Sequence, residues 1–580
     1  MSPQLPPVAP AVTAELVAAL SPRLRKRLDS GIAKLADRPV VRDGDIARIA
    51  VDDGTDLELH APDGAVRQAG AVRCGCLLAP DCLHRAAAAS LAPVAEDETP
   101  GHDGSGVDSP APRGGPGEEQ PAEAAEPPES ATPDQRAAAR AVRLAAAAVL
   151  EAGTDGAGAV LQAELLRAAH TARLAGLHRA AATAVSVVTA LRAARSADPA
   201  YHLTDLVTGL HDVLHVSHRV PAASGTELSA LRGTARQPYR PDGSLRLYGL
   251  FSEPVLTASG YAGAVTWTAD ADGRLYQVSD VAPGGAGRAA GAADRAVRIG
   301  DTALTHRELA RAGLAVSGAT VSPTGRLGAG AGVRAVRAGG AGWHEDPVTR
   351  LWAEPVPDQI ARALTGGHGL LFLDVTLTGT AAEAAGDCLL ADCDGVTLRL
   401  TAAHDHPALP HRDNLRLLSA ARGTRLRIVT RLTPATHPRA RLLAAEHPAR
   451  CGTRLDMGLD RLQRADLPTA PAAATRPAPV PDEAPIHLLR RRVQQTVSGG
   501  RPVLALPGDT RADARRLHHS GLATAADLLT DLHSAAADRA HDVFGRLRPA
   551  DPDRFARAWL AAAHYTAELD RALCLAAWTS

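Results

Sequence analysis

Residues 72–91 read Val72-Arg73-Cys74-Gly75-Cys76-Leu77-Leu78-Ala79-Pro80-Asp81-Cys82-Leu83-His84-Arg85-Ala86-Ala87-Ala88-Ala89-Ser90-Leu91. Three cysteines and a histidine fall within eleven residues as C-x-C-x5-C-x-H. Zinc takes four such sulfur and nitrogen ligands in a tetrahedron, and three thiolates plus one imidazole complete the set. On an extended segment Cys74 and Cys76 share one side, and Gly75 lets the backbone turn so that both sulfurs converge. Pro80-Asp81 brings the chain back, with Asp81 placed to cap a helix beginning near Cys82 and His84 in its first turn. No fifth ligand or open position is legible. One structural Zn2+ ion on Cys74, Cys76, Cys82 and His84 is therefore expected, and no catalysis.

The surroundings read as a small zinc-stabilised ββα finger module spanning residues 11–92. Thr13 to Leu35 has helical spacing in Leu16, Leu20, Leu24, Leu28 and Ile32, and Asp43 to Leu59 alternates like a strand pair. Large apolar residues are few there, so the metal is expected to hold the fold; such sites contribute on the order of 10–16 kcal/mol.

The ligand pattern, the paired strands before it and the helix His84-Arg85-Ala86-Ala87-Ala88 after it resemble the SWIM zinc finger family over residues 40–92, with all four ligand positions matched. Stretches such as Leu247-Tyr248-Gly249-Leu250-Phe251 and His306-Arg307-Glu308-Leu309-Ala310-Arg311 give the remainder a similarity to the longer body of actinobacterial SWIM zinc finger proteins. The resemblance implies zinc and a binding role toward DNA or protein. It implies no reaction.

Beyond the finger, an α+β multidomain chain is expected. Residues 93–134 form an acidic linker, with eleven carboxylates from Ala95 to Asp134 against the single Arg113, a composition that predicts disorder. A helical segment covers 135–220 and a β-rich α+β domain 239–365. A strand-rich domain of OB-like or small-barrel type covers 366–466. A Pro/Ala linker spans 467–485 and a C-terminal helical region 486–580. No internal repeat is legible.

Composition narrows the partners. The 580 residues carry 63 basic and 64 acidic side chains, a net charge of -1, which excludes a histone-like coat for nucleic acid. Seven cysteines, no membrane span and no signal peptide point to a reducing, cytoplasmic setting. Within residues 1–92 the 11 basic and 11 acidic groups cancel, and three thiolates on one zinc add negative charge. A non-enzymatic protein-interaction module is the leading expectation. The alternative is a DNA-binding regulator using the finger together with the helix bearing Arg23, Arg25, Lys26 and Arg27.

Four further patterns are weaker. His211-Asp212-Val213-Leu214-His215 has zincin spacing, but with Asp212 where a glutamate base would stand. Cys388 and Cys393 with His404, His406 and His411 offer a loose second metal set. Gly325 to Gly332 is a glycine-rich turn without a phosphate-loop lysine. Leu517 to Leu529 faintly resembles a helix-hairpin-helix about Gly521.

Overall fold

The computed structural model describes residues 5–52, 54–95, 129–198, 201–234, 239–257, 261–300, 302–330, 332–383, 386–467, 476–477, 485–505, 509–538, 542–546, 548 and 551–579. Of the expected acidic linker over 93–134, residues 96–128 lie outside them, as does most of the Pro/Ala linker. The end of the acidic linker is ordered: Ser130 bridges Ser224, and a helix capped by Thr132 starts at Pro133. Helix and strand are mixed, so the α+β class stands. The chain divides into two compact units: residues 1–236, 488–515 and 523–563 in unit 1, and 237–487, 516–522 and 564–580 in unit 2.

Unit 1 opens with α1 (Pro10–Ala19), α2 (Pro22–Arg25) and α3 (Leu28–Ala36), not with one helix over 13–35. Pro22 lacks an N–H and forces Ser21 into extended geometry, so the helix must restart. An antiparallel sheet follows in the order β1 (Val40–Asp43), β2 (Ile46–Asp52), β3 (Thr55–His60), β4 (Val72–Cys74), and then α4 (Leu83–Leu91). Alternation buries Ala47, Ile49, Leu57 and Leu59 on one face. Four alanines, Ala86 to Ala89, let α4 approach α1 and α3 closely, and Thr13 Oγ1 bonds the Ala89 carbonyl at 3.2 Å. Val8 bridges both Val66 and Val94, so the first described residues are sewn into this module.

The helices α5 (Pro133–Gly156), α6 (Ala159–Leu174), α7 (His178–Arg195), α8 (Leu203–Arg219) and α9 (Gly225–Arg232) complete the first half of unit 1. The module's core continues onto α6 through Ala159 and Ala163. Far along the chain, α15 (His487–Ala505), α16 (Thr510–His519), α17 (Ala523–Ala537) and α18 (Pro552–Thr579) repeat the plan of α5 to α8. Buried positions match at constant spacing: Val142, Ala146, Leu150 and Gly153 with Leu489, Val493, Val497 and Gly500. Ala180, Ala181, Ala184 and Val187 likewise match Ala525, Ala526, Leu529 and Leu532, and Leu206, Leu210 and Val213 match Phe555, Trp559 and Ala562. Both α6 and α16 end on a glycine with φ +77, Gly176 and Gly521, each followed by a leucine that bonds back into the helix. The chain therefore carries an internal repeat that the sequence hides, because Ala, Val, Leu and Trp exchange at its matching sites.

Gly153 (φ +69) and Gly500 (φ +70) kink α5 and α15 and pack against each other. A Cβ on Gly153 would fall on the Gly500 amide and the Ser498 carbonyl; one on Gly500 would fall on the carbonyls of Glu151 and Ala152. Gly153→Ala combines that backbone clash with a left-handed φ, and should destabilise unit 1 by about 3–5 kcal/mol. Urea unfolding followed by Trp559, whose Nε1 donates to the Val493 carbonyl at 3.1 Å, measures it.

Unit 2 contains two five-stranded barrels. The first runs β5 (Arg240–Leu256), β6 (Tyr261–Ala269), β7 (Leu275–Pro283), α10 (Gly285–Ala290), α11 (His306–Leu309), β8 (Gly313–Val321) and β9 (Arg334–Ala338), with sheet order β7-β6-β5-β8-β9. Arg326-Leu327 bridges β7 in parallel and β8 in antiparallel, closing the ring. After α12 (Arg350–Ala353) and α13 (Val356–Thr365) comes the second: β10 (Leu370–Ala382), β11 (Cys388–Cys393), β12 (Val396–Ala402), α14 (His411–Leu418), β13 (Arg425–Leu432) and β14 (Arg439–Glu446). Its ring is β10-β11-β12-β14-β13-β10, with only β12 and β14 parallel. A short β15 (Arg454–Asp456) adds to β14.

Each barrel is plugged by a helix between its third and fourth strands: Leu309 of α11 and Leu415 and Leu418 of α14 enter the two cores. Each plug opens on a buried histidine, His306 and His411. The sequence boundary at 365/366 separates the barrels, yet both pack into one unit. Phe251 and Trp267 of the first share a core with Trp343, Trp352, Phe372 and Val429. The C-terminal helical region divides, with residues 523–563 in unit 1 and 564–580 in unit 2.

Candidate metal centre

β3 sets the position of the ligand loop. Leu57 pairs with Cys74 at the end of β4, and the Gly75 N–H donates to the Asp56 carbonyl at 3.1 Å. Cys76 opens a turn closed by the Ala79 N–H on its carbonyl, also at 3.1 Å. Cys82, extended at φ -100 and ψ 155, is the N-cap of α4, and His84 is in the first turn. The helix starts one residue later than expected, so Asp81 stands outside the cap position and does not cap it.

The fold brings all four expected residues together. The three sulfurs and a ring nitrogen of His84 lie within 4.8 Å of one another, with Cys74 Sγ 3.7 Å from His84 Nδ1. Sulfurs bound at 2.3 Å to a tetrahedral zinc stand about 3.8 Å apart, so the donor set fits such an ion. Cys82 is buried and the other three are half-buried.

Electrostatics call for a cation. Burial pushes the Cys74 thiol up to about 12 and raises Cys82 as well. At Cys76 burial also raises the value, but the Leu78 N–H and hydrogen bonds from Cys82 and Cys74 outweigh it, leaving this thiol below its ordinary range. Three thiolates held this close together set like charges against one another. They require a multivalent cation, and binding it releases protons. The Arg85 N–H at the start of α4 faces the Cys82 sulfur without closing a cap bond, and the helix dipole favours negative charge there.

Arg85 is a residue that sequence reasoning missed. Its buried guanidinium donates to the carbonyls of Val72 and Ala69, each at 2.5 Å, and to that of Pro80. It thus ties β4, the preceding turn and the ligand loop to α4. The available signal was an arginine directly after a ligand, inside an alanine run that has no other use for a charge.

The structure places the weaker patterns as follows. His211 and His215 stack at 5.6 Å on α8, and His211 Nδ1 lies 3.2 Å from Asp212 Oδ1. Cys388 and Cys393 lie five residues apart on β11 and so face opposite sides of the strand; burial raises both thiols, Cys393 to about 12. His404 and His406 accept backbone N–H groups within their own turn. Gly325 leads into the strand segment that closes the first barrel. Gly521 is the counterpart of Gly176 in the helical repeat.

No family model, curated protein or solved structure matches the chain.

Proposed function

We propose that residues 5–95 are a SWIM-type interaction module whose Cys74, Cys76, Cys82 and His84 hold one structural zinc, and whose ligand loop is the contact point for a protein partner. The observation that carries this reading is the exposure of Leu77 and Leu78, at 104% and 64%, between ligands Cys76 and Cys82. With Val41 they are the exposed large apolar side chains among the module's described residues. An apolar pair on a metal-anchored loop is preorganised, so binding orders little further chain. The role is non-enzymatic: the four ligands fill a tetrahedron and leave no position for substrate.

Two features favour protein over DNA. Arg25 of the basic stretch is occupied by the Ala18 carbonyl, and Arg23 lies within a helix of only four residues with Arg27 just beyond it. Five-stranded barrels of OB type bind oligonucleotides across their second and third strands. In the first barrel Trp267 of the second strand is taken up in a buried core with Phe372 and Val429 of the second barrel.

The experiment is an affinity purification of the full chain, split into nuclease-treated and untreated halves, with the variants Leu77→Asp/Leu78→Asp and Arg23→Glu/Arg27→Glu. A stoichiometric protein that survives nuclease and is lost only with the leucine pair is the expected result. Loss with the arginine pair, together with nucleic acid in the untreated half, would move the function to DNA binding.

A further inference from the structure

The two helical repeats differ in the connection between their last two helices. Leu191 and Leu206 are 15 positions apart in the first, whereas their counterparts Ala536 and Phe555 are 19 apart. The longer connection includes a self-contained turn, Asp542–Arg546. Asp542 Oδ1 accepts the N–H groups of Phe544 at 2.9 Å and Arg546 at 2.8 Å, and the Asp542 N–H donates to the Arg546 carbonyl at 2.8 Å. Gly545, at φ +76, donates to the Asp542 carbonyl at 3.0 Å.

This turn holds Val543 and Phe544 in solvent, 90% and 81% exposed. The other three phenylalanines, Phe251, Phe372 and Phe555, are fully buried. The first repeat closes the same corner with a shorter connection, so the fold does not require an ordered apolar tip here. Exposed aromatic side chains beside arginine are the usual anchors of protein contacts.

Charge selects the kind of partner. The nearby carboxylates are occupied: Asp542 by amides, Asp538 by Arg554 at 2.9 Å, and Asp553 by Arg143 at 3.0 Å. Arg546 and Arg548 are exposed and have no acidic partner among the described residues. We infer that the Asp542–Arg546 turn is a docking knob, with Val543 and Phe544 entering an apolar pocket on a protein whose rim carries carboxylates facing Arg546 and Arg548. The inference is independent of the zinc module.

The test places the photo-crosslinker p-benzoylphenylalanine at position 544 of the full chain in its own cells, then purifies the captured protein for titration. One discrete adduct is expected. Its purified partner should bind the chain at least tenfold more weakly after Phe544→Ala and after Arg546→Glu, with thermal unfolding of both variants unchanged. The inference is overturned by the absence of a discrete adduct, or by a partner indifferent to both changes. It is equally overturned if Phe544-dependent binding goes to vesicles of phosphatidylcholine with one-third phosphatidylserine and to no protein.

Discussion

Cys82→Ser should unfold residues 5–95 while the tryptophans of the two barrels keep their buried environment. Structural zinc in small folds contributes on the order of 10–16 kcal/mol at neutral pH, and a serine hydroxyl does not replace a thiolate ligand. What remains without the ion is the core in which Ile49, Leu57, Leu59, Val72 and the alanines of α4 meet Val12, Leu16, Val17, Leu20, Leu28 and Leu35 of the N-terminal helices. Burying a side chain of this size is worth about 1.5–3 kcal/mol, set against about 1–2 kcal/mol per ordered residue, so this core leaves the module too little margin to absorb the loss of the ion. Limited proteolysis should cut within residues 40–92 in the variant and in chelator-treated wild type, but not in untreated protein. Resistant, fully folded Cys82→Ser protein would remove the metal from the account of the fold.

Acidification should destabilise unit 2 below pH 6.5. Burial pulls His306 and His411 down to about 4. His306 Nδ1 is 2.7 Å from Thr266 Oγ1, while His306 Nε2 and His411 Nδ1 are buried without a hydrogen-bond partner among the described residues. Both rings are neutral in the fold, whereas in the unfolded chain they take a proton near 6.5. Their stabilisation is complete above pH 6.5 and is lost as the pH falls toward 4, by about 3 kcal/mol each. Asp456 opposes them: burial lifts its carboxyl to about 6, so its protonation below that pH stabilises the fold and offsets about 3 kcal/mol. Net stability should therefore decline from pH 6.5 downward, in urea titrations read by Trp267, Trp343 and Trp352. The variant His306→Gln/His411→Gln should flatten the decline. Wild-type stability that holds level from pH 7.5 to 5 would rule this out.

The clustering of Cys74, Cys76, Cys82 and His84 was legible because metal chemistry restricts residue type and spacing within a few positions, and local geometry does the rest. The strand alternation of residues 370–432 was legible for a similar reason, since barrel strands bury every second side chain. The first barrel was harder to read. Its closing segment at Arg326-Leu327 is set among Gly325, Gly328, Gly330 and Gly332, which break the alternation. The helical repeat was invisible because its clearest mark, the contact of Gly153 with Gly500, joins residues far apart in the chain. The break at Pro22 was readable in principle, but the leucine spacing runs across it. Arg85 passed for a helix former because its three carbonyl partners come from segments that only the folded sheet assembles.

The measurement that bears most directly on the account is zinc analysis of the purified full-length chain, combined with X-ray absorption at the zinc edge. One zinc per chain is expected, with three sulfurs at about 2.3 Å and one nitrogen at about 2.0–2.1 Å. Protein that folds and resists proteolysis without metal, or an ion ligated mainly by oxygen, would contradict it.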